Sequence, residues 1–175
     1  GYGVPALAFG AAARLLRGRE DIPLQIARGL AIALMGFLVF LEIRHAMNGG
    51  DIYAPQPRLA EVGLQVFSST MFAIVLTKIG SAAPLPVYRW ATNIAGALAG
   101  GAAVVGLGLA ANPAFSGETL SRPGFFNELI PGYLLPMAGA TALAIVARAT
   151  SALKTKLAAG AALALAFAFV TLETR

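Results

Sequence analysis

The sequence predicts an all-α, polytopic transmembrane bundle of about six helices, and three observations carry that prediction. First, 58% of the 175 residues are hydrophobic and 12% are charged, with a mean hydropathy of +0.75. Soluble domains are about 25% charged, so this composition fits a chain solvated by lipid. Second, the apolar residues fall into six runs of roughly spanning length. Third, the chain repeats itself at a fixed offset. The absence of cysteine also excludes a disulfide scaffold.

Each of the six runs has a polar or helix-specific boundary. The first stops at the charged run 17–21, and the second opens with Pro23, a residue suited to a first helical turn. The third ends at Lys78, the fourth begins at the interfacial aromatic Trp90, and the sixth begins at Lys156. Crossing a bilayer core takes about 20 apolar residues, with a range of roughly 17–25. The predicted helices are 1–16, 22–46, 59–78, 90–111, 132–147 and 156–172.

The distribution of basic residues predicts the orientation. Eight Lys and Arg residues fall on one side, four on the other, and Arg28 lies within the second helix. Because basic residues concentrate in cytoplasmic loops, we expect loops 17–21, 79–89 and 148–155 in the cytoplasm. Loops 47–58 and 112–131 are then external, or periplasmic in a bacterial inner membrane.

A shift of 131 residues superposes the start of the chain on its end. Gly1-Tyr2-x-x-Pro5 falls on Gly132-Tyr133-x-x-Pro136, and fifteen of the 44 overlapping positions are identical. The offset carries the first helix onto the fifth, and a step of four helices preserves orientation. We therefore expect a parallel repeat, with one four-helix unit at 1–131 and the first hairpin of a second at 132–175. The chain is then expected to be a fragment of a longer array.

Two copies of a Leu-Glu-x-Arg motif are the sharpest polar feature. They place Glu42 and Arg44, and again Glu173 and Arg175, at the outer ends of apolar runs. Residues two apart point away from each other on a helix, so each side chain needs a partner elsewhere: Glu61 or Arg58 across the short loop, or a polar group of another helix. One interpretation is a clasp between helices. The other is an outward site for a headgroup, sugar or ion, and the duplication of the motif favours the clasp.

Two further features are candidates for lipid contact and packing. Arg28 is either a ligand for an anion or lipid headgroup or a side chain that snorkels to the interface, and its counterpart Ala159 favours snorkelling. Gly96-x-x-x-Gly100 has a spacing that lets membrane helices approach closely, within the bundle or against another subunit.

No catalytic constellation is found. The single His45 has no cysteine or second histidine near it, which argues against a metal site. Ser151-x-x-Lys154 has the spacing of a serine–lysine pair but lacks companion motifs. We expect no cofactor and no nucleic-acid partner, because the basic residues are scattered singly.

With these motifs in view, the chain resembles a bacterial family of large predicted membrane proteins, domain-of-unknown-function family 2339. The resemblance rests on Leu41-Glu42-Ile43-Arg44-His45, on Gly49-Gly50-Asp51 and on Glu61, with an opening that matches the family's hairpin start. It implies a parent with many more helices and no established activity.

The expected function is that of a non-enzymatic integral membrane protein, a scaffold or envelope-assembly component working with other helices or subunits in the lipid bilayer. The alternative is a transporter or a lipid- or glycan-binding protein that uses the outward Glu and Arg residues. An intramembrane enzyme would need paired acids or an activated nucleophile, which the sequence does not place.

Overall fold

The computed structural model describes residues 3–15, 22–55, 57–113 and 128–174, and within them the chain is helical with no strands. A π-helical stretch continues α4 and another precedes α5; we call them π1 and π2. The elements are α1 (Gly3–Leu15), α2 (Ile22–Met47), α3 (Leu59–Ala82), α4 (Pro86–Gly101), π1 (Ala102–Ala110), π2 (Ile130–Leu134), α5 (Leu135–Ala147) and α6 (Ala152–Glu173).

Five of these helical segments are long and apolar enough to cross a membrane: Ile22–Met47, Leu59–Ala82, Pro86–Ala110, Ile130–Ala147 and Ala152–Glu173. The prediction of an all-α multi-pass bundle is therefore confirmed. The described part of α1 has 13 residues, which at 1.5 Å per residue is about 20 Å. It is thus shorter than the ~30 Å hydrocarbon core.

Three helices extend clearly beyond their predicted limits. Helix α3 continues past Lys78 to Ala82, and α4 begins at Pro86, so only residues 83–85 connect them. A lysine near the end of a spanning helix keeps its charged group in water while its aliphatic stem lies along the helix. The charge of Lys78 therefore did not mark the end of α3. Helix α6 begins at Ala152 because Ser151 caps it: the Ser151 Oγ accepts a hydrogen bond from the Lys154 backbone N–H at 3.3 Å.

Helix α3 lies at the centre of the bundle. It contacts α2, α4, π1, π2 and α5, and half of its spanning window is buried, against 6% for α2. The main core cluster joins its first two turns to π1, π2 and α6 through nine buried side chains: Leu59, Val62, Val66, Leu107, Ala111, Leu129, Tyr133, Leu165 and Leu172. A second, smaller cluster joins α3 to α4 nearer the other end of the bundle.

The bundle therefore has two distinct ends. We call the end that carries residues 48–58 the Glu61 end, because α3 begins there. The opposite end, which carries the connections 83–85 and 148–151, is the Lys78 end. Helix α5 runs parallel to α3, since Gly132 lies against Leu59 and Gly139 lies against Phe67 about two turns further along both helices.

Glycines allow the backbones at the Glu61 end to approach closely. A Cβ at Gly63 would overlap the carbonyl oxygen of Pro131 and lie 2.6 Å from the Cα of Gly132. A Cβ at Gly132 would in turn lie 2.7 Å from the Leu59 side chain, and one at Gly106 would meet Val62. Real Cβ atoms do not make such contacts, so only glycine fits where α3 crosses π1 and π2.

The two π-helical segments are joined by a buried tyrosine. The Tyr133 hydroxyl of π2 donates a hydrogen bond of 2.9 Å to the Leu107 carbonyl of π1, and both residues are almost fully buried. The last carbonyls of a helix lack partners within it. This hydrogen bond therefore provides a partner for the Tyr133 hydroxyl and for a terminal carbonyl that water cannot reach.

The 131-residue repeat stays a prediction. The hairpins α1–α2 and α5–α6 have the same order of elements, but matched residues differ in burial: Pro136 is buried, whereas Pro5 is exposed. Gly1 and Tyr2, the counterparts of Gly132 and Tyr133, lie outside the described residues.

The contact at Gly63 leads to a sharp stability prediction. We expect Gly63→Ala to lower the free energy of unfolding by about 1–3 kcal/mol or more, because the added methyl overpacks a backbone crossing. The measurement is thermal or denaturant unfolding of the detergent-solubilised protein.

The matched control is Gly96→Ala, since nothing lies within 4 Å of a Cβ there. The same change should leave stability unaltered or raise it by up to about 1 kcal/mol, as expected from helix propensity alone. Equal effects of the two substitutions would contradict the close crossing.

Candidate functional site

The candidate site lies where α2 ends and α3 begins, and an ion pair connects the two helices there. Arg44 sits one turn before the end of α2, and Glu61 sits in the first turn of α3. The Arg44 Nη1 lies 2.8 Å from the Glu61 Oε1, with the glutamate side chain 0% exposed and the arginine 17% exposed. The position of Glu61 is electrostatically favourable, because the N-terminal turn of a helix carries a partial positive charge.

Three N–H donors satisfy the buried carboxylate. Besides Arg44, the Gln65 Nε2 donates to Oε1 at 3.2 Å, and the Asn48 Nδ2 donates to Oε2 at 2.9 Å. A buried carboxylate is costly unless its charge is paired and its oxygens are hydrogen-bonded. Both conditions are met here, because Glu61 is paired with Arg44 and each of its oxygens accepts a hydrogen bond.

The same arginine also fixes the connecting loop. Its Nε donates to the Ile52 carbonyl at 2.6 Å, and its Nη2 donates to the Ala54 carbonyl. The planar guanidinium presents its donors in a rigid fork, and here the fork binds one carboxylate and two backbone carbonyls. Arg44 therefore holds α2, α3 and the loop in one arrangement, which we call the Arg44–Glu61 clasp, formed by Arg44, Asn48, Glu61 and Gln65.

The glycine pair after α2 turns the chain towards the clasp. Gly49 has φ +60° and the Gly50 N–H donates to the His45 carbonyl at 2.8 Å, which is the pattern of a Schellman C-cap. The His45 Nδ1 contributes a further hydrogen bond to the Gly50 carbonyl at 3.2 Å, and Asp51 accepts from the Tyr53 N–H at 2.8 Å. The Arg-His…Gly-Gly-Asp sequence thus encodes a helix stop and a folded loop.

Of the six charged candidate residues, the structure pairs Arg44 with Glu61. Glu42 is exposed and makes no hydrogen bond or ion pair with any described residue. Glu173 is exposed at the end of α6. Arg175 lies outside the described residues. Arg28 is half-buried on α2 near the Lys78 end, far along the helix from Arg44.

The glycines Gly96 and Gly100 face open space: no atom of a neighbouring element lies within 4 Å of a Cβ built on either one. Their predicted role in packing stays a prediction, because nothing in the described segments lies against them.

Sequence reasoning missed Asn48, Gln65 and Tyr133. Gln65 lies four residues after Glu61, and Asn48 lies four residues after Arg44, so both stand on the face of the residue they support. That i, i+4 spacing was the available signal for the first two. The sequence pointed to Tyr133 only because it recurs in the repeat. It did not indicate the contact with Leu107, which is 26 residues away.

The polar groups of the clasp are bonded to one another and to the loop between α2 and α3. Every buried side-chain nitrogen and oxygen in the described segments has a hydrogen-bond partner, and the described residues hold no group of three His, Cys, Asp or Glu that fits a metal ion. Both oxygens of Glu61 are taken by internal donors, and Ser151 serves as the cap of α6. No residue of the clasp is arranged as a nucleophile with a base.

The fold and the clasp define an all-α, multi-pass membrane protein in which α2 and α3 are fixed at one end by a buried ion pair. The chain belongs to the family described as predicted membrane protein (DUF2339), whose model matches residues 2–175. No curated protein and no solved structure matches the chain.

Removal of one clasp partner should be strongly destabilising. We expect Glu61→Ala and Arg44→Ala each to cost about 3–5 kcal/mol, because each leaves a buried group without its counter-charge. Glu42→Ala is the matched control on the same helix as Arg44, and it should change stability by no more than about 0.5 kcal/mol. Unfolding of the detergent-solubilised variants measures all three.

A double-mutant cycle separates the pair from its surroundings. The variant Arg44→Leu/Glu61→Leu should be less destabilised than the sum of the two single leucine variants, because no unpaired charge remains. Strict additivity would show that the two side chains do not stabilise each other.

Proposed function

We propose that this chain is a non-catalytic structural component of a membrane assembly, a scaffold or envelope-assembly protein that works through contacts with other helices or subunits. The observation that carries the proposal is that both carboxylate oxygens of the buried Glu61 accept hydrogen bonds from within the chain. A binding or transport site keeps some polar groups free for its ligand, whereas Glu61 accepts hydrogen bonds from three donors of the chain itself.

The outer surface of the described helices supports the same proposal. Large apolar side chains are exposed along α2, α4, π1 and α6, among them Phe37, Leu98, Val104, Leu163 and Phe167. In a bilayer these faces meet lipid or other helices. A bundle with one buried clasp and broad apolar faces is suited to associate laterally rather than to transform a substrate.

Two finer points belong to this proposal. We place the Glu61 end outside the cytoplasmic membrane and the Lys78 end in the cytoplasm, on the strength of the eight-to-four bias of basic residues. We also interpret residues 1–131 and 132–175 as one four-helix unit and the start of a second, on the strength of the identities at one offset.

A transporter or a lipid- or glycan-binding protein is the alternative. It would use the outward Glu and Arg residues, of which Glu42 is exposed and has no side-chain hydrogen bond or ion pair to the described segments. Solvent access to the clasp separates the two functions, because a transport site must be hydrated on at least one side.

Single cysteines provide the test, since the natural chain contains none. We expect Val62→Cys, next to Glu61 and 4% exposed, to resist a membrane-impermeant maleimide, because its environment is dry. Tyr53→Cys in the loop, 86% exposed, should react readily and serves as the accessible control. Rapid labelling of the Val62→Cys variant in its folded state would favour a hydrated cavity and contradict the structural role.

The same reagent tests the orientation in intact cells. Tyr53→Cys should be labelled from outside, and Ser81→Cys, exposed at the end of α3, should be labelled only after the membrane is permeabilised. The opposite result would invert the assignment of the two ends.

A further inference from the structure

A groove between α1, α2 and α3 opens towards lipid near the Lys78 end. It has a volume of about 540 Å³ and its lining is apolar except at one place. The apolar lining includes Leu7 and Gly10 of α1, Ile32 and Met35 of α2, and Phe72 and Val75 of α3. The exception is Arg14, in the last turn of α1.

A second arginine stands at the same end of this groove. Arg28 lies three, four and seven residues before Ala31, Ile32 and Met35, which line the groove. That spacing places Arg28 on the lining face of α2. Because α1 ends and α2 begins at the Lys78 end, both arginines lie on that side of the bilayer.

Neither arginine is neutralised by the described part of the chain. No hydrogen bond or ion pair joins Arg14 or Arg28 to a described residue, in contrast to Arg44 at the other end. A guanidinium that has no partner among the described residues and lies beside an apolar groove suits an oxyanion with an apolar tail. Arginine presents a fork that suits the phosphate group.

We propose that this groove binds an anionic phospholipid of the surrounding bilayer. Its phosphate headgroup pairs with Arg14 and Arg28, and an acyl chain lies between α1, α2 and α3. Basic pockets between helices on the cytoplasmic side of membrane proteins bind acidic headgroups in this way. The volume lies within the range of about 300–1,000 Å³ found for ligand sites. The lipid would tie α1 to α2 and α3 at the end opposite the clasp.

The experiment uses the full chain purified in mild detergent, with native mass spectrometry to count bound lipid. The probes are phosphatidylglycerol and phosphatidylcholine with identical acyl chains. We expect wild-type protein to retain phosphatidylglycerol at least about fivefold more strongly, and Arg14→Gln and Arg28→Gln each to reduce that retention about fivefold. Arg148→Gln, an exposed arginine at the same end, is the matched control and should leave retention unchanged.

A second pair of variants tests the groove itself. Gly10 lines the groove and has nothing within 4 Å of a Cβ, so Gly10→Leu fills the space without a clash. Gly96→Leu adds the same side chain at an equally open position on α4. Gly10→Leu should abolish the preference for phosphatidylglycerol, whereas Gly96→Leu should preserve it.

Three results would overturn the proposal: equal retention of both lipids by the wild type, an effect of Arg148→Gln as large as that of Arg14→Gln, or full retention by Gly10→Leu. If a glutamine variant does not fold, Arg14→Lys decides, because it keeps the charge and should keep most of the preference. These outcomes are independent of the clasp, so a failure here leaves the proposed structural function standing.

Discussion

The rest of the structure depends on the burial of one carboxylate. Glu61 lies at the start of α3 and is inaccessible to solvent. An unpaired charge at this position would cost more free energy than the surrounding helix contacts contribute. Arg44, Asn48 and Gln65 must all be present and correctly placed to satisfy it. Because these donors come from the end of α2, the loop and α3 itself, one charge fixes the register of the two helices and the path of the chain between them.

The clasp sits directly beside the tightest packing in the bundle. Glu61 is followed within two residues by Gly63, whose missing side chain lets α3 meet the backbone of π2. Val62 between them packs against Gly106 of π1. A polar network that fixes one face of α3 therefore also positions the small residues on its other faces. Dispersion between close backbones replaces the hydrophobic effect, which offers little between helices already in lipid.

The spanning helices could be predicted from the sequence because spanning length and apolar composition are local properties. It also predicted that Arg44 needs a partner across the loop and named Glu61 among the candidates. It did not identify Tyr133 as the partner of the Leu107 carbonyl, because that contact joins residues far apart in the chain. Nor did spacing reveal Gly63, Gly106 and Gly132 as contact points, since the importance of each glycine depends on the residue that lies opposite it.

The two ends of the bundle use arginine in opposite ways, and the difference follows from what else is buried there. At the Glu61 end the guanidinium of Arg44 donates to one carboxylate and two carbonyls of its own chain. At the Lys78 end Arg14 and Arg28 stand beside an apolar groove without a counter-charge in the described chain. Cations without a partner among the described residues suit contact with acidic lipid headgroups, as we propose for the groove. Arginine therefore joins helices within the chain at the Glu61 end, whereas at the Lys78 end we propose that it binds the surrounding lipid.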